Sequence, residues 1–219
     1  MNAVKRIYGY LKTTLATGPA YSPDTKEDSH DLEMYVDADW AGCPDTRKST
    51  TGWVVLLAGG PISWSSKRQS VNALSSCEAE YVAATAIAQE ATWLRNFINE
   101  LKIPGMYIDK VLLHVDNEAA IAVAKNPEFH NRMKHIENKH HYLRQCVQEG
   151  IIDIRWVRSK QNMADMLTKA LPKDLFEKLR EKIGMEAVVT MPLSNTMTAV
   201  SGSVVNDCFD PVRQGKQGK

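Results

Sequence analysis

The stretches LEMYVDADW at residues 32–40, TGWVVLLA at 51–58 and PISWSS at 61–66 decide how this chain folds. Each is short, rich in β-branched and aromatic residues and bounded by turn formers, and Gly59-Gly60 joins the second to the third. Three such runs in succession predict an antiparallel meander. The period then changes: from Ser75 to about Leu101, the residues Ala84, Ile87, Ala91, Leu94, Ile98 and Leu101 share one helical face. A long helix covering the sheet is expected there.

Downstream, VLLHVD at 111–116 is a nearly continuous apolar strand suited to a buried parallel position, and EAAIAVAK at 118–125 is a helix former. A second helix, roughly 134–148, precedes the strand IIDIRWV at 151–157. Two helical stretches follow, roughly 163–171 and 173–183, separated by Pro172. The order βββαβααβαα feeds three antiparallel strands into βαβ units. It specifies an α/β fold with a mixed five-stranded sheet and helices on its faces.

Upstream, Val4, Ile7, Tyr8 and Leu11 recur at helical spacing, so residues 1–15 are expected to form an amphipathic helix. Residues 16–30 are rich in turn formers and charge and read as a linker. The domain is then expected over 31–185. The remainder, 186–219, is small, polar and aperiodic and reads as a disordered tail.

With 27 basic and 26 acidic residues among 219, no global field attracts nucleic acid, and such binding has to come from local patches. The four cysteines, Cys43, Cys77, Cys146 and Cys208, form no CxxC pair, which argues against a zinc knuckle and a disulfide framework and fits a reducing, intracellular compartment. No apolar run approaches the roughly 20 residues of a membrane helix.

The chemistry lies in acids at element boundaries: Asp37 in the first strand, Glu80 early in the long helix, Asp116 ending the fourth strand and Asp165 opening a late helix. Gathered in one crevice they would repel one another, so their convergence calls for a hard divalent cation. Asp37 and Asp39 point to the same face of the strand, and alternation alone does not choose between them. For the helix, at about 100° per residue, Glu80 lies within roughly 20° of Ile87 while Glu78 is about 180° away and is expected to face water. Glu78 also follows Ser75 at capping-box spacing.

YVDADWAG, the stretch from RKSTTGW to SSCEAEY, HVDNEAA and NMADMLTKAL, in that order, resemble the successive motifs of the ribonuclease H domain of copia-type retrotransposon polyproteins. The similarity runs from about residue 33 to 185, and AVKRIYGYLK resembles the end of the preceding reverse-transcriptase connection. The resemblance implies a ribonuclease H-like fold. It further implies that Asp37, Glu80, Asp116 and Asp165 bind two Mg²⁺ ions, with Mn²⁺ an alternative, and cut the RNA strand of an RNA/DNA hybrid to leave 5′-phosphate and 3′-hydroxyl ends. Tyr35-Val36 before Asp37 matches the family pattern and favours Asp37 over Asp39. The reverse-transcriptase domain of the same polyprotein is an implied partner, and a cytoplasmic virus-like particle an implied location.

One departure concerns the loop before the last acid. RSKQNMA at 158–164 lacks the histidine that retroviral and cellular relatives often carry there, and Lys160 is the available cation. In HNRMKHIENKHHYLR at 130–144, Arg132, Lys134, Lys139 and Arg144 read either as a phosphate-tracking patch or as the solvated side of an amphipathic helix with Ile136, His140, Leu143 and Val147 inward. His135 and His140 lack the i, i+4 spacing of a helical metal pair. Trp53, Trp64, Trp93 and Trp156 are expected in the core, and so is Trp40, with a contact to nucleic acid as its alternative.

Two rivals remain. A silent remnant of the fold would show loss of an acid, and all four are present. A strand-transferase would carry Asp, Asp, Glu with the Glu last, whereas the order here is Asp, Glu, Asp, Asp.

Overall fold

The computed structural model describes residues 2–21, 32–126 and 142–187. Its main sheet has five strands in the order β4-β3-β2-β5-β6. Strands β2 (Leu32–Asp39), β3 (Thr50–Leu57) and β4 (Gly60–Arg68) form the antiparallel meander. Strand β5 (Val111–Val115) runs parallel to β2, and β6 (Ile152–Trp156) parallel to β5. Mixed sheet, strand order and helical cover are those of the ribonuclease H-like fold expected from the sequence.

Alternation along β2 builds two cores. Leu32, Met34, Val36 and Ala38 pack with Ala84, Ile87, Ala91 and Ile98 of α2 (Ser76–Glu100) in the larger cluster. Tyr35, on the opposite face, packs with Val54, Leu56 and Ala164. Each large aliphatic side chain so buried stabilises the fold by about 1.5–3 kcal/mol.

Helix α2 starts where Ser75 stands outside it: Ser75 Oγ accepts from the Glu78 amide at 3.2 Å, and Glu78 Oε2 accepts from the Leu74 amide at 2.8 Å. The return bond thus goes one residue before the N-cap. Glu78 is 6% exposed, so the expectation that it faces water is overturned. The reason is tertiary: the chain entering the helix folds back over its first turn, covering a face that helix phase alone assigns to solvent.

Helix α3 (Glu118–Lys125) is capped by Asn117, whose side chain accepts from Ala120 N at 3.1 Å. Helix α4 is described over Tyr142–Gln148, so most of the expected 134–148 helix lies outside the described residues. Helix α5 (Asp165–Thr168) is shorter than the expected 163–171, and α6 (Lys173–Lys182) follows Pro172. The Lys169 amide donates to the Asp165 carbonyl at 3.2 Å, and Lys169 is itself extended, so α5 stops after one turn.

Within the segment read as a linker, β1 (Thr17–Pro19) pairs antiparallel with β7 (Met185–Ala187), and Tyr21 donates to the Pro61 carbonyl at 2.8 Å. The strand pair therefore crosses both expected domain limits, while 188–219 lie outside the described residues. The N-terminal helix α1 (Asn2–Thr13) forms, with Val4, Ile7, Tyr8 and Leu11 all exposed. Core placement of the tryptophans holds only for Trp53, which packs against the larger cluster; Trp40, Trp64, Trp93 and Trp156 are about half exposed or more. Aromatic bulk favours burial, but Trp64 and Trp156 lie on the edge strands and Trp93 on an outward helix face, where no described residue buries them.

Candidate metal centre

Strands β2 and β5 are paired from Leu32↔Val111 to Tyr35↔His114 and then part. Backbone groups of alternate residues point the same way along a strand, so parting leaves Val36 and Ala38 with free polar groups on one edge. Side chains take them: Asn162 Nδ2 donates to the Val36 carbonyl at 2.8 Å, and Glu80 Oε1 accepts from the Ala38 amide at 3.2 Å. Asp116 directly follows β5. The crevice lies at the carboxyl ends of parallel strands, where ligands of open α/β sheets collect.

Asp37, Glu80 and Asp116 each bring a carboxylate oxygen within 4.8 Å of the others. Asp37 and Glu80 are buried, and Glu80 Oε2 is a buried atom that no donor meets among the described residues. Burial, with the negative charges of Asp37 and Asp116, pushes Glu80 up to about 9. Burial also raises Asp116, against the Ser159 hydroxyl, which hydrogen-bonds to it, and with Asp37 adding to the rise. A cluster of hard oxygen donors that resists ionisation, with one oxygen unpartnered, fits a divalent cation of the Mg²⁺ or Mn²⁺ type.

Asp39, the other acid on this face, turns away: its carboxylate occupies the space a side chain at Gly42 would need.

Asp165 stands beside this trio. Burial and the charge of Asp37 push it up to about 6, and Lys169 counters the rise. Lys169 Nζ lies 3.1 Å from Asp165 Oδ1 and 3.5 Å from Asp37 Oδ2. Thr168 Oγ1 donates to Asp37 Oδ2. Burial alone would lower Lys169, but Asp37, Asp165 and Asp116 together raise it.

Two supports were not singled out from the sequence, and a third, Trp40, was singled out for a different role. Fully buried Asn162 binds Val36 while its Oδ1 accepts from the Ala164 amide at 3.2 Å, so one side chain holds the start of α5 against β2. Gly52 lets α5 approach: a Cβ there would lie 2.6 Å from Thr168 Cγ2 and 2.9 Å from Leu167 Cβ. Trp40 donates its indole N–H to the Ala73 carbonyl at 3.0 Å, tying the end of β2 to the approach to α2. Asn162 and Gly52 lie inside quoted motifs, but a single sequence carries no sign of which motif residues bear the load.

Among the expected nucleic-acid contacts, Arg132, Lys134 and Lys139 lie outside the described residues. Arg144 is 8% exposed and donates to the Val123 carbonyl at 3.3 Å. It bridges α4 to α3, and its burial leaves little of it open to a phosphate, unlike the solvated cation expected from the sequence. Lys160 is exposed on a one-turn 3₁₀ helix (Ser159–Gln161), next to the Ser159 that meets Asp116.

Fold and acidic crevice define a ribonuclease H-like domain. The chain is 40% identical over 185 residues to the retrovirus-related Pol polyprotein from transposon TNT 1-94 of Nicotiana tabacum, covering 84% of this chain and 13% of the relative. It is 38% identical to those from transposons RE2 and RE1 of Arabidopsis thaliana, over 84% and 86% of this chain and 12% of each relative. Its homologues are thus copia-type Pol polyproteins, and it corresponds to a ribonuclease H-like segment spanning about an eighth of their length. No family model matches the chain. A solved structure, the N-terminal RNase H domain of Rv2228c from Mycobacterium tuberculosis fused to maltose-binding protein, aligns at a TM-score of 0.43 and 17% identity, over 69% of this chain and 96% of that one.

Proposed function

We propose that this chain is a metal-dependent endoribonuclease that cuts the RNA strand of RNA/DNA hybrids during reverse transcription of a retrotransposon. The observation that carries this reading is the trio Asp37, Glu80 and Asp116, gathered within 4.8 Å where β2 and β5 part, in a chain homologous to Pol polyproteins. Asp37, Glu80 and Asp116 would hold one divalent cation, and Asp37 with Asp165 a second. Such cations supply Lewis acidity toward water and the scissile phosphate.

The chain's own residues prepare the site. The Ser159 hydroxyl orients Asp116, and the Ala38 amide fixes one Glu80 oxygen and leaves the other for metal. Asn162 and Thr168 keep α5 against β2. Lys160, exposed beside Ser159, meets the phosphate backbone. Recognition of the RNA strand rests on its 2′-hydroxyls and A-like shape. The exposed apolar face of α1 docks on the reverse-transcriptase region of the same polyprotein.

The test incubates the purified chain with labelled RNA/DNA hybrid, duplex DNA and duplex RNA, with Mg²⁺ and with EDTA. Cleavage of the hybrid's RNA alone, dependent on metal and leaving 5′-phosphate and 3′-hydroxyl ends, is expected. A folded chain that binds hybrid without cutting it would be a silent remnant.

A further inference from the structure

Four acids share the crevice, yet they are not equally available. Lys169, four residues after Asp165, places its ammonium 3.1 Å from Asp165 and 3.5 Å from Asp37. The side chains of these two acids are 6% and 3% exposed, whereas that of Lys169 is 39% exposed. The ammonium therefore enters from the solvent side at the end of a flexible stem, while the carboxylates it neutralises are held within the fold. Around Glu80 and Asp116 the balance differs: among the described residues no salt bridge reaches either carboxylate.

We propose that Lys169 is a tethered cation that fills the second cation position, between Asp37 and Asp165, in the metal-free protein and withdraws when a divalent ion binds there. The proposal rests on the metal-centre reading above and adds an order of filling. The Asp37, Glu80 and Asp116 position gathers three carboxylates and meets Lys169 only at Asp37, so it fills first. The Asp37 and Asp165 position fills second, in competition with an ammonium on the same chain. A side chain more than a third exposed can leave without disturbing the core. Once withdrawn, it finds its best new partner in an anion at the mouth of the crevice, which is where a substrate phosphate would lie. Binding of the second ion and binding of substrate therefore favour each other.

A plain structural strut makes the opposite prediction, since removing a strut loosens the acids and weakens metal binding. The full chain is titrated with Mn²⁺, with free Mn²⁺ read by electron paramagnetic resonance, for wild type, Lys169→Met and Lys169→Arg. Wild type is expected to show one tight and one weak class of site. An opposite charge within about 4–6 Å shifts a carboxylate's proton affinity by about 1–3 pKa units, so Lys169→Met should tighten the weak class by at least roughly tenfold and change the tight class less. Lys169→Arg should keep the wild-type pattern. An unchanged or weaker second site in a folded Lys169→Met protein overturns the proposal.

A second measurement uses wild type alone, so it stands even where the variant does not fold. Acetylation of Lys169 by an amine-reactive ester, followed by mass spectrometry, should be slow without metal and at least severalfold faster with Mg²⁺. Equal or slower labelling with Mg²⁺, while Mn²⁺ titration shows two bound ions, overturns the tethered cation and leaves the metal centre standing. Absence of bound Mn²⁺ from wild type and Lys169→Met alike would instead remove the metal-centre reading, and the tether with it.

Discussion

Asp37 and Gly52 stand directly opposite one another in the β2–β3 ladder, and the space left by the missing side chain of Gly52 is where α5 comes down to give Asp37 the Thr168 hydroxyl. One residue presents a carboxylate and its partner makes room for what holds that carboxylate. Gly52→Ala should therefore push α5 away, since a Cβ would also lie 3.1 Å from the Leu167 backbone carbon, which cannot swing aside. The expected cost is about 1–3 kcal/mol, as for other overpacked sites, with hybrid cleavage falling further than stability does. Unfolding curves and cleavage rates on the same preparation check it; wild-type values for both would show that α5 does not depend on this gap.

Glu80→Gln should eliminate cleavage, whereas Glu78→Gln should retain most of it. A glutamine at 78 keeps an acceptor for the Leu74 amide, so the loss should stay near the few tenths to about 1 kcal/mol of a weakened cap. Glu78→Ala removes the acceptor from a buried site and should cost roughly 1–3 kcal/mol. An inactive Glu78→Gln beside an active Glu80→Gln would reverse the assignment of the two acids.

Without metal, stability should fall as pH rises from about 4.5 to about 9. Glu80 is raised from 4.5 to about 9 and Asp165 from 3.8 to about 6, so between those limits the folded chain holds more protons than the unfolded one. Burial that disfavours a charge is relieved by unfolding, and the relief grows as the acid ionises. Glu33, lowered mainly by its hydrogen bond to His114, acts with the opposite sign but below its ordinary 4.5, outside this window. Melting temperatures in EDTA should be lower at pH 8 than at pH 5.5, Glu80→Gln should flatten most of the slope, and Mg²⁺ should reverse it. A metal-free melting point that climbs over this range would contradict the buried, like-charged cluster.

Asn162→Ala should cost roughly 1–3 kcal/mol by leaving the buried Val36 carbonyl unpaired. It should also lower cleavage, because the start of α5 loses its tie to β2. Hydrogen exchange at the Ala164 amide is the direct measure: protection equal to wild type would show that the anchor lies elsewhere.

Deleting 188–219 should leave melting and cleavage nearly unchanged, while deleting 186–219 should lower stability, because Glu186 and Ala187 pair with Gly18 and Thr17. The two truncations differ by two residues. Equal melting points would mean that the β1–β7 ladder contributes nothing.

The periodic parts of the fold were legible. Alternation in LEMYVDADW and the 3.6-residue stripe of α2 follow from contacts within one element and its nearest layer, and both appear in the structure. Helix phase put Glu80 on the sheet side of α2, and there it meets Ala38. The same argument failed for Glu78, because the cover over the first turn comes from chain outside the helix. Arg144 differs likewise: a cation on a helix reads as solvated, whereas this one is buried and reaches the Val123 carbonyl of α3. Lys169 stood in a quoted motif, but its role depends on the distance to Asp37, which lies 132 positions earlier in the chain and is set by the whole sheet.

That separation has a consequence for when the centre can exist. A chain emerging from the ribosome displays Asp37 early, Glu80 and Asp116 in turn, and the Thr168 hydroxyl that steadies Asp37 only after nearly the whole domain has been made. A shorter N-terminal piece carries Asp37, Glu80 and Asp116 without the Thr168 hydroxyl and the Lys169 ammonium that meet Asp37. The full set of supports arrives late, with the docking of a single helical turn.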